Sequence, residues 1–245
     1  GLNIIITMII STENKNLTLK KLNHIDTMIE PIKDFFERFG LKMAAILLLI
    51  IASYRLTDIV MGPMANPFYI DMGYTLSEIG YIVKVVALIS TIIGVFVGGI
   101  LIKKFGLYKS LLIGAFLVMI TNLLFSYTAI TDKNLTLLAS IVASDSLAAG
   151  IVGTVNITFL TSLVSQKYTG FQYALLTSVM TFTGTIFKGF SGVIVESFQS
   201  LYGFNYGWMS FYIFTSCLAL SKHYRNYGVR TGARRNFFFN ELVLR

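Results

Sequence analysis

The sequence predicts an all-α integral membrane protein, a bundle of six spanning helices, and three observations carry that reading. The 245 residues are 55% hydrophobic and 13% charged, with a mean hydropathy of +0.71. A soluble domain of this size needs more polar surface. The apolar residues gather into runs close to the ~20 residues a helix needs to cross a bilayer. The basic residues gather between those runs, and on one side if the helices alternate.

Six runs qualify. The first is Lys42 to about Met64 and carries Arg55 and Asp58 in its second half. Gly80 to Ile102 follows, with Lys84 near its start, and Leu107 to Tyr127 has no charge beyond Lys109 at its edge. Leu135 to Val164 is long enough to tilt and carries Asp145. Phe171 to Val195 carries Lys188, and Phe204 to Ser221 is short because Lys222 ends its apolar stretch. The runs are too long, and alternate too little, for barrel strands.

The connectors fix orientation. Lys15, Lys20, Lys21, Lys33, Arg38 and Lys42 precede the first span, Lys103, Lys104 and Lys109 follow the second, and Lys167 follows the fourth. Lys222, Arg225, Arg230, Arg234, Arg235 and Arg245 follow the sixth. The opposite side holds Asp71, Glu78, Asp132, Lys133 and Glu196. Both termini are therefore expected in the cytoplasm.

Outside the spans, residues 1–10 are expected to be the remnant of a preceding transmembrane helix, because Leu2 to Ile10 is apolar without the basic start of a signal peptide. Residues 11–41 form a polar linker in which Ile25, Met28, Ile29, Ile32, Phe35, Phe36 and Phe39 recur at helical spacing. That pattern predicts an amphipathic helix on the membrane surface, covering the cytoplasmic face or binding lipid. Residues 42–221 hold the six spans and residues 222–245 a basic tail.

Composition narrows function as well. The net charge of +8 resides in linkers, not in a basic and aromatic patch suited to nucleic acid. Cys217 is the single cysteine, and His24 and His223 lie far apart in linkers, so the sequence offers no disulfide, no metal site and no cofactor motif. A membrane-embedded enzyme would show His, Asp or Glu clustered at helical spacing within a span, which this chain lacks. The partners expected are the lipid bilayer and an amphiphilic or anionic small molecule.

The stretch Pro31-Ile-Lys-Asp-Phe-Phe-Glu-Arg-Phe-Gly40 leads into Tyr54-Arg-Leu-Thr-Asp58, then Gly80-Tyr-Ile-Val-Lys84 and Gly94-Val-Phe-Val-Gly-Gly-Ile-Leu101. Phe171-Gln-Tyr-Ala-Leu-Leu-Thr-Ser178, Gly192-Val-Ile-Val-Glu196 and Gly207-Trp-Met-Ser-Phe-Tyr212 come after. From Pro31 to Leu220 this order resembles the second half of AmpG-type anhydromuropeptide permeases of the major facilitator superfamily. The resemblance implies the C-terminal six-helix half of a twelve-helix transporter fold, in a bacterial inner membrane, importing cell-wall turnover products by symport. A half of this kind needs a separate N-terminal half as partner, or self-association, to enclose a site, and is otherwise inactive. Gly99-Ile-Leu-Ile-Lys-Lys-Phe-Gly106 stands where the superfamily carries G-x-L-x-D-R-x-G, with Lys103 at the acidic position. After Leu220 the pattern departs into Ser-Lys-His-Tyr-Arg-Asn, the kind of tail a shifted reading frame would produce.

A charge inside a span costs roughly +2.5 to +3.5 kcal/mol on insertion scales, so each marks a cavity or a partner. Arg55 and Asp58 are three residues apart on one face. They either neutralise each other, or Asp58 carries a coupling proton that Arg55 tunes. Lys84 either snorkels to headgroups or joins an anion-binding cavity. Asp145 and Asn156 lie three turns apart on one face, as cavity wall or packing surface, with Asp145 a second proton-coupling candidate. Lys188 shares its face with Thr177, Thr181, Gly184 and Gly192, a face suited to a substrate cavity or to a helix seam. Arg55, Lys84, Asn156 and Lys188 are thus the substrate-cavity candidates. Gly94 and Gly98 read as a packing seam, and Tyr202, Tyr206 and Trp208 as an aromatic belt. The leading expectation is a transporter half; the alternative is an inactive membrane remnant of a disrupted transporter gene.

Overall fold

The computed structural model describes the backbone of residues 24–54 and 56–233, and side chains within 29–218 apart from those of 53, 54 and 58. Residues 1–23, Arg55 and residues 234–245 lie outside the described residues, and with them the helix remnant, the start of the linker and the end of the tail.

The chain folds as α1 (His24–Tyr54), α2 (Leu56–Asp71), α3 (Leu76–Tyr81), a π turn (Ile82–Val86), α4 (Ala87–Phe105), α5 (Leu107–Thr128), α6 (Leu135–Leu163), α7 (Thr169–Gly189), α8 (Ser191–Tyr202) and α9 (Phe204–Ala233). No strand occurs among the described residues. This is the helical membrane bundle expected of a six-helix transporter half. Among the described residues, four rods have the length and hydropathy to cross a membrane: Leu76–Phe105, Leu107–Thr128, Leu135–Leu163 and Thr169–Tyr202. They are the second to fifth expected spans. The first corresponds to the end of α1 with α2, helical on both sides of residue 55, and the sixth to the start of α9.

The boundaries shift for local reasons. Gly40, at φ 71° and ψ 154°, divides α1 into a linker helix and a spanning helix, a conformation glycine enters without steric cost. Gly106 makes the same kind of break between α4 and α5, at φ 78°, which explains the final glycine of the Gly99–Gly106 segment. The first span continues past Met64 to Asp71 with Pro63 and Pro67 inside α2, because buried Phe68 and Tyr69 pack its last turn into the core. The second starts early, at Thr75, whose side chain and Glu78 form a reciprocal capping box. The fifth is kinked at Phe190, where the run Gly189-Phe-Ser-Gly192 interrupts regular helix. The last helix runs on to Ala233, so Lys222 ends an apolar stretch and not the helix.

Two clusters fill the interior. One, at the linker end, gathers Phe35, Leu47, Ile51, Val155, Leu160, Leu163 and Leu176. The other gathers Phe68, Tyr69, Phe125, Ile141, Trp208, Phe211 and Tyr212. Phe35 is buried in the first cluster, so the linker helix docks onto the bundle and does not simply float on the membrane surface. A glycine seam joins the two ends. A Cβ on Gly94 would strike the carbonyl of Leu147, one on Gly150 would strike that of Thr91, and Gly98 meets Ile151 and Thr154 closely. This is the close approach that a G-x-x-x-G pattern permits.

The connectors sort as the charges require. The linker meets the turn 164–168 through the Tyr168 hydroxyl, which donates to Glu30 at 2.9 Å. At the other end the Tyr74 hydroxyl donates to the Asn134 carbonyl and accepts from its N–H, both at 3.1 Å. Lys133 pairs with Glu78 there at 2.8 Å.

Candidate functional site

The sequence-predicted residues occupy different depths. Arg55 lies outside the described residues; Asp58 lies on α2, with only its backbone described. Lys84 sits in the π turn, where the N–H of Ala87 bonds back to the carbonyl of Ile82, and is exposed. Sequence periodicity gave no warning of that turn, and such widened turns recur at functional positions.

Asp145 and Asn156 share α6, but eleven residues at ~1.5 Å each put them roughly 16 Å apart along its axis. Asp145 is half-buried and within electrostatic reach of the hydroxyls of Tyr69 on α2 and Tyr212 on α9. Asn156 is buried instead against α7, its Nδ2 donating to the Met180 sulfur at 3.3 Å. The two therefore look toward different helices, although both stand on α6.

Lys188 is exposed in the last turn of α7. Gln172, Leu176, Met180 and Gly184 form the buried stripe of that helix, and each four-residue step turns the stripe by about 40°. Lys188 therefore falls where the packed side meets the open side. The open side is a groove lined by Thr177, Ser178, Thr181, Phe182 and Thr185. All five come from one helix, so this is a polar helix face and not an enclosed cavity. Thr177 and Thr185 satisfy their hydroxyls on their own helix, through the carbonyls of Tyr173 and Thr181.

Several polar groups that sequence reasoning passed over are buried between helices. Asn122 Nδ2 donates to Thr215 Oγ1 at 3.2 Å, and the Ser216 hydroxyl donates to the Met119 carbonyl at 3.3 Å, joining α5 to α9. The Thr57 hydroxyl, Asn122 Oδ1, Asn156 Oδ1, the Ser191 hydroxyl and the Tyr212 hydroxyl are buried without a hydrogen-bond partner. A buried unsatisfied group of this kind costs about 1–3 kcal/mol. Asn156 apart, which its spacing from Asp145 had marked, the signal for them was faint: single polar residues inside apolar runs, with no charge to mark them.

One expectation is overturned here. Trp208 is no part of an aromatic belt; it is 2% exposed and donates its indole N–H to Asp71 at 2.9 Å. Tyr202 and Tyr206 do face outward. Among the described residues no group of His, Cys, Asp and Glu is arranged to hold a metal ion.

No family model matches the chain. Individual proteins do. Over 218 residues it is 33% identical to the protein named AmpG 4 of Rickettsia conorii, covering 86% of this chain and 50% of that protein. With the AmpG 1 protein of Rickettsia prowazekii it shares 30% identity over 189 residues, 76% of this chain and 41% of the relative. With the anhydromuropeptide permease of Escherichia coli it shares 30% over 195 residues, 79% of this chain and 37% of the permease. The chain spans about half the length, or less, of the curated relatives it matches. It is a multi-pass membrane protein related to AmpG-type permeases.

Proposed function

We propose that this relative of the AmpG-type permeases is one half of a proton-coupled secondary transporter for cell-wall muropeptides. It would lie in a bacterial inner membrane with both termini in the cytoplasm, and it acts in transport and not as an enzyme. The observation that carries the reading is the match to transporter and permease proteins across most of the chain but about half of each relative. In a transporter built of two halves the substrate site forms near the midplane between them, and the halves rock around it.

Asp58 and Asp145 are the proton-carrying groups in this reading, because intramembrane carboxylates serve proton relays. Asp145 is within electrostatic reach of two tyrosine hydroxyls on neighbouring helices, so a change in its charge is felt on α2 and α9 as well as on α6. Arg55, Lys84, Asn156 and Lys188 line the substrate side, where cationic groups suit the carboxylates of a muropeptide. The open polar face of α7 beside Lys188 is left for the opposite half to close.

The test is uptake of a labelled anhydromuropeptide by bacterial vesicles holding this chain alone, or together with the missing half of a full-length relative. The chain alone should take up none, and the pair should show saturable uptake that a protonophore collapses. Asp58→Asn in the pair should abolish accumulation and keep exchange, since the amide mimics the protonated acid only. Correct insertion of both halves with no uptake would establish an inactive remnant instead.

A further inference from the structure

The linker helix before Gly40 is fastened to the turn between α6 and α7 by one buried node, Gln172. Its side chain is 1% exposed and uses all its hydrogen-bonding capacity. Oε1 accepts from the Ser165 N–H at 2.7 Å and from Arg38 Nη2 at 2.9 Å. Nε2 donates to the Pro31 carbonyl at 2.8 Å and to Asp34 Oδ2 at 2.9 Å. Arg38 extends the node: its Nε donates to Asp34 at 2.9 Å and its Nη2 reaches the Leu163 carbonyl at 3.2 Å. That carbonyl closes α6, where helical bonding leaves acceptors unpaired. Tyr168 adds its bond to Glu30 from the same turn. Beneath the polar layer, Phe35 is buried among Leu163, Leu107 and other residues of the linker-end cluster.

We infer that this node is a conformational latch: while engaged, it makes the linker helix, the end of α6 and the start of α7 one rigid body, and these elements can move apart only if Gln172 releases. The geometry requires it. Gln172, on α7, bonds to two other pieces of chain, the linker through Pro31, Asp34 and Arg38 and the turn through Ser165, and Arg38 carries the connection on to the Leu163 carbonyl at the end of α6. Moving the linker or the turn against α7 breaks at least one of the four Gln172 bonds, and moving the end of α6 from the linker breaks the Arg38 bond to Leu163. Phe35 alone could not fix the arrangement, since apolar packing lets a helix slide where a buried, directional hydrogen bond does not. The latch stands on α6 and α7, which also bear Asp145, Asn156 and Lys188, so it governs the linker-side ends of the two helices richest in candidate residues. It stands independently of the transport reading.

Hydrogen–deuterium exchange on the full chain in lipid nanodiscs tests it. Gln172→Leu keeps the side chain's bulk and removes every bond. It should speed exchange at least about tenfold in residues 29–39 and 164–170, the change expected when a local unit opens, while residues 107–128 stay as protected as before. Arg38→Met should give the same pattern more weakly, because Gln172 keeps its bonds to Ser165 and Pro31. Thr177→Val, on the same helix outside the node, should change nothing. Unchanged exchange of the linker in Gln172→Leu would overturn the latch and assign the holding to Phe35. Faster exchange throughout the bundle in both Gln172→Leu and Arg38→Met would overturn it too, showing a residue needed for folding at large.

Discussion

Leu47, Ile51, Val155, Leu160, Leu163 and Leu176 fill the linker end of the bundle, whereas Phe68, Phe125, Trp208 and Tyr212 fill the opposite end. The aromatic rings interlock: Phe68 meets Tyr212 edge-on at 4.9 Å and Trp208 at 5.3 Å, and Phe125 stacks on Tyr212 at 5.2 Å. Flat rings in stacked and edge-on contact have preferred angles, so this end is positioned by shape. Branched aliphatics impose no such angles, and the ring contacts of Phe35 with Phe36 and Phe39 lie within the linker helix itself, so the fit of the linker to the bundle rests on the Gln172 hydrogen bonds. In a bilayer both ends lose much of the hydrophobic drive, since lipid is as apolar as the core. Fit and hydrogen bonds must then decide which helix sits where.

Substitutions can break or sharpen that contrast. Trp208→Ala should have the largest effect, about 3–5 kcal/mol by cavity formation, with Asp71 losing its donor as well. Thermal unfolding in nanodiscs would measure it, and exchange should rise near residues 68–80 and 204–212 while residues 29–39 stay protected. Equal loss at both ends would show that the two clusters are one cooperative unit. Gly150→Leu acts between them. It forces α4 from α6 where even a Cβ meets the Thr91 carbonyl, costs about 2–3 kcal/mol by overpacking, and should loosen both ends together. Tyr74→Phe removes the hydroxyl that bonds Asn134 twice. It should lower stability by about 1 kcal/mol, with faster exchange confined to residues 72–80 and 131–138. Glu78→Gln weakens a solvent-facing pair with Lys133 but leaves an amide oxygen to accept the Thr75 N–H of the capping box, and the unfolding midpoint should stay where it was. A clear drop would mean that the loops at the aromatic end contribute more than the aromatic cluster allows.

Hydropathy and helix alternation were enough to read the helical class, which connectors share an end of the bundle, and the Gly94–Gly98 seam from sequence, because each is a local property. Run length sets what can cross a bilayer, lysine and arginine sort to one side, and only small residues let two helices touch. Helical spacing also marked the linker as amphipathic, though not what its apolar face would meet.

The tertiary structure alone decided the partners. Gln172 reads as one polar residue in Phe171-Gln-Tyr-Ala174, and its bonds to Pro31 and Asp34 cross 141 and 138 residues of chain. Trp208 reads as a membrane-interface residue until Asp71, 137 positions away, accepts its indole proton. Asp145 and Asn156 share a face by spacing, yet Asp145 comes within electrostatic reach of Tyr69 and Tyr212 while Asn156 donates to Met180. Periodicity fixes the angle of a residue around its own helix. Which neighbour stands at that angle depends on how all the helices cross, and that is set by fit among side chains distant in sequence.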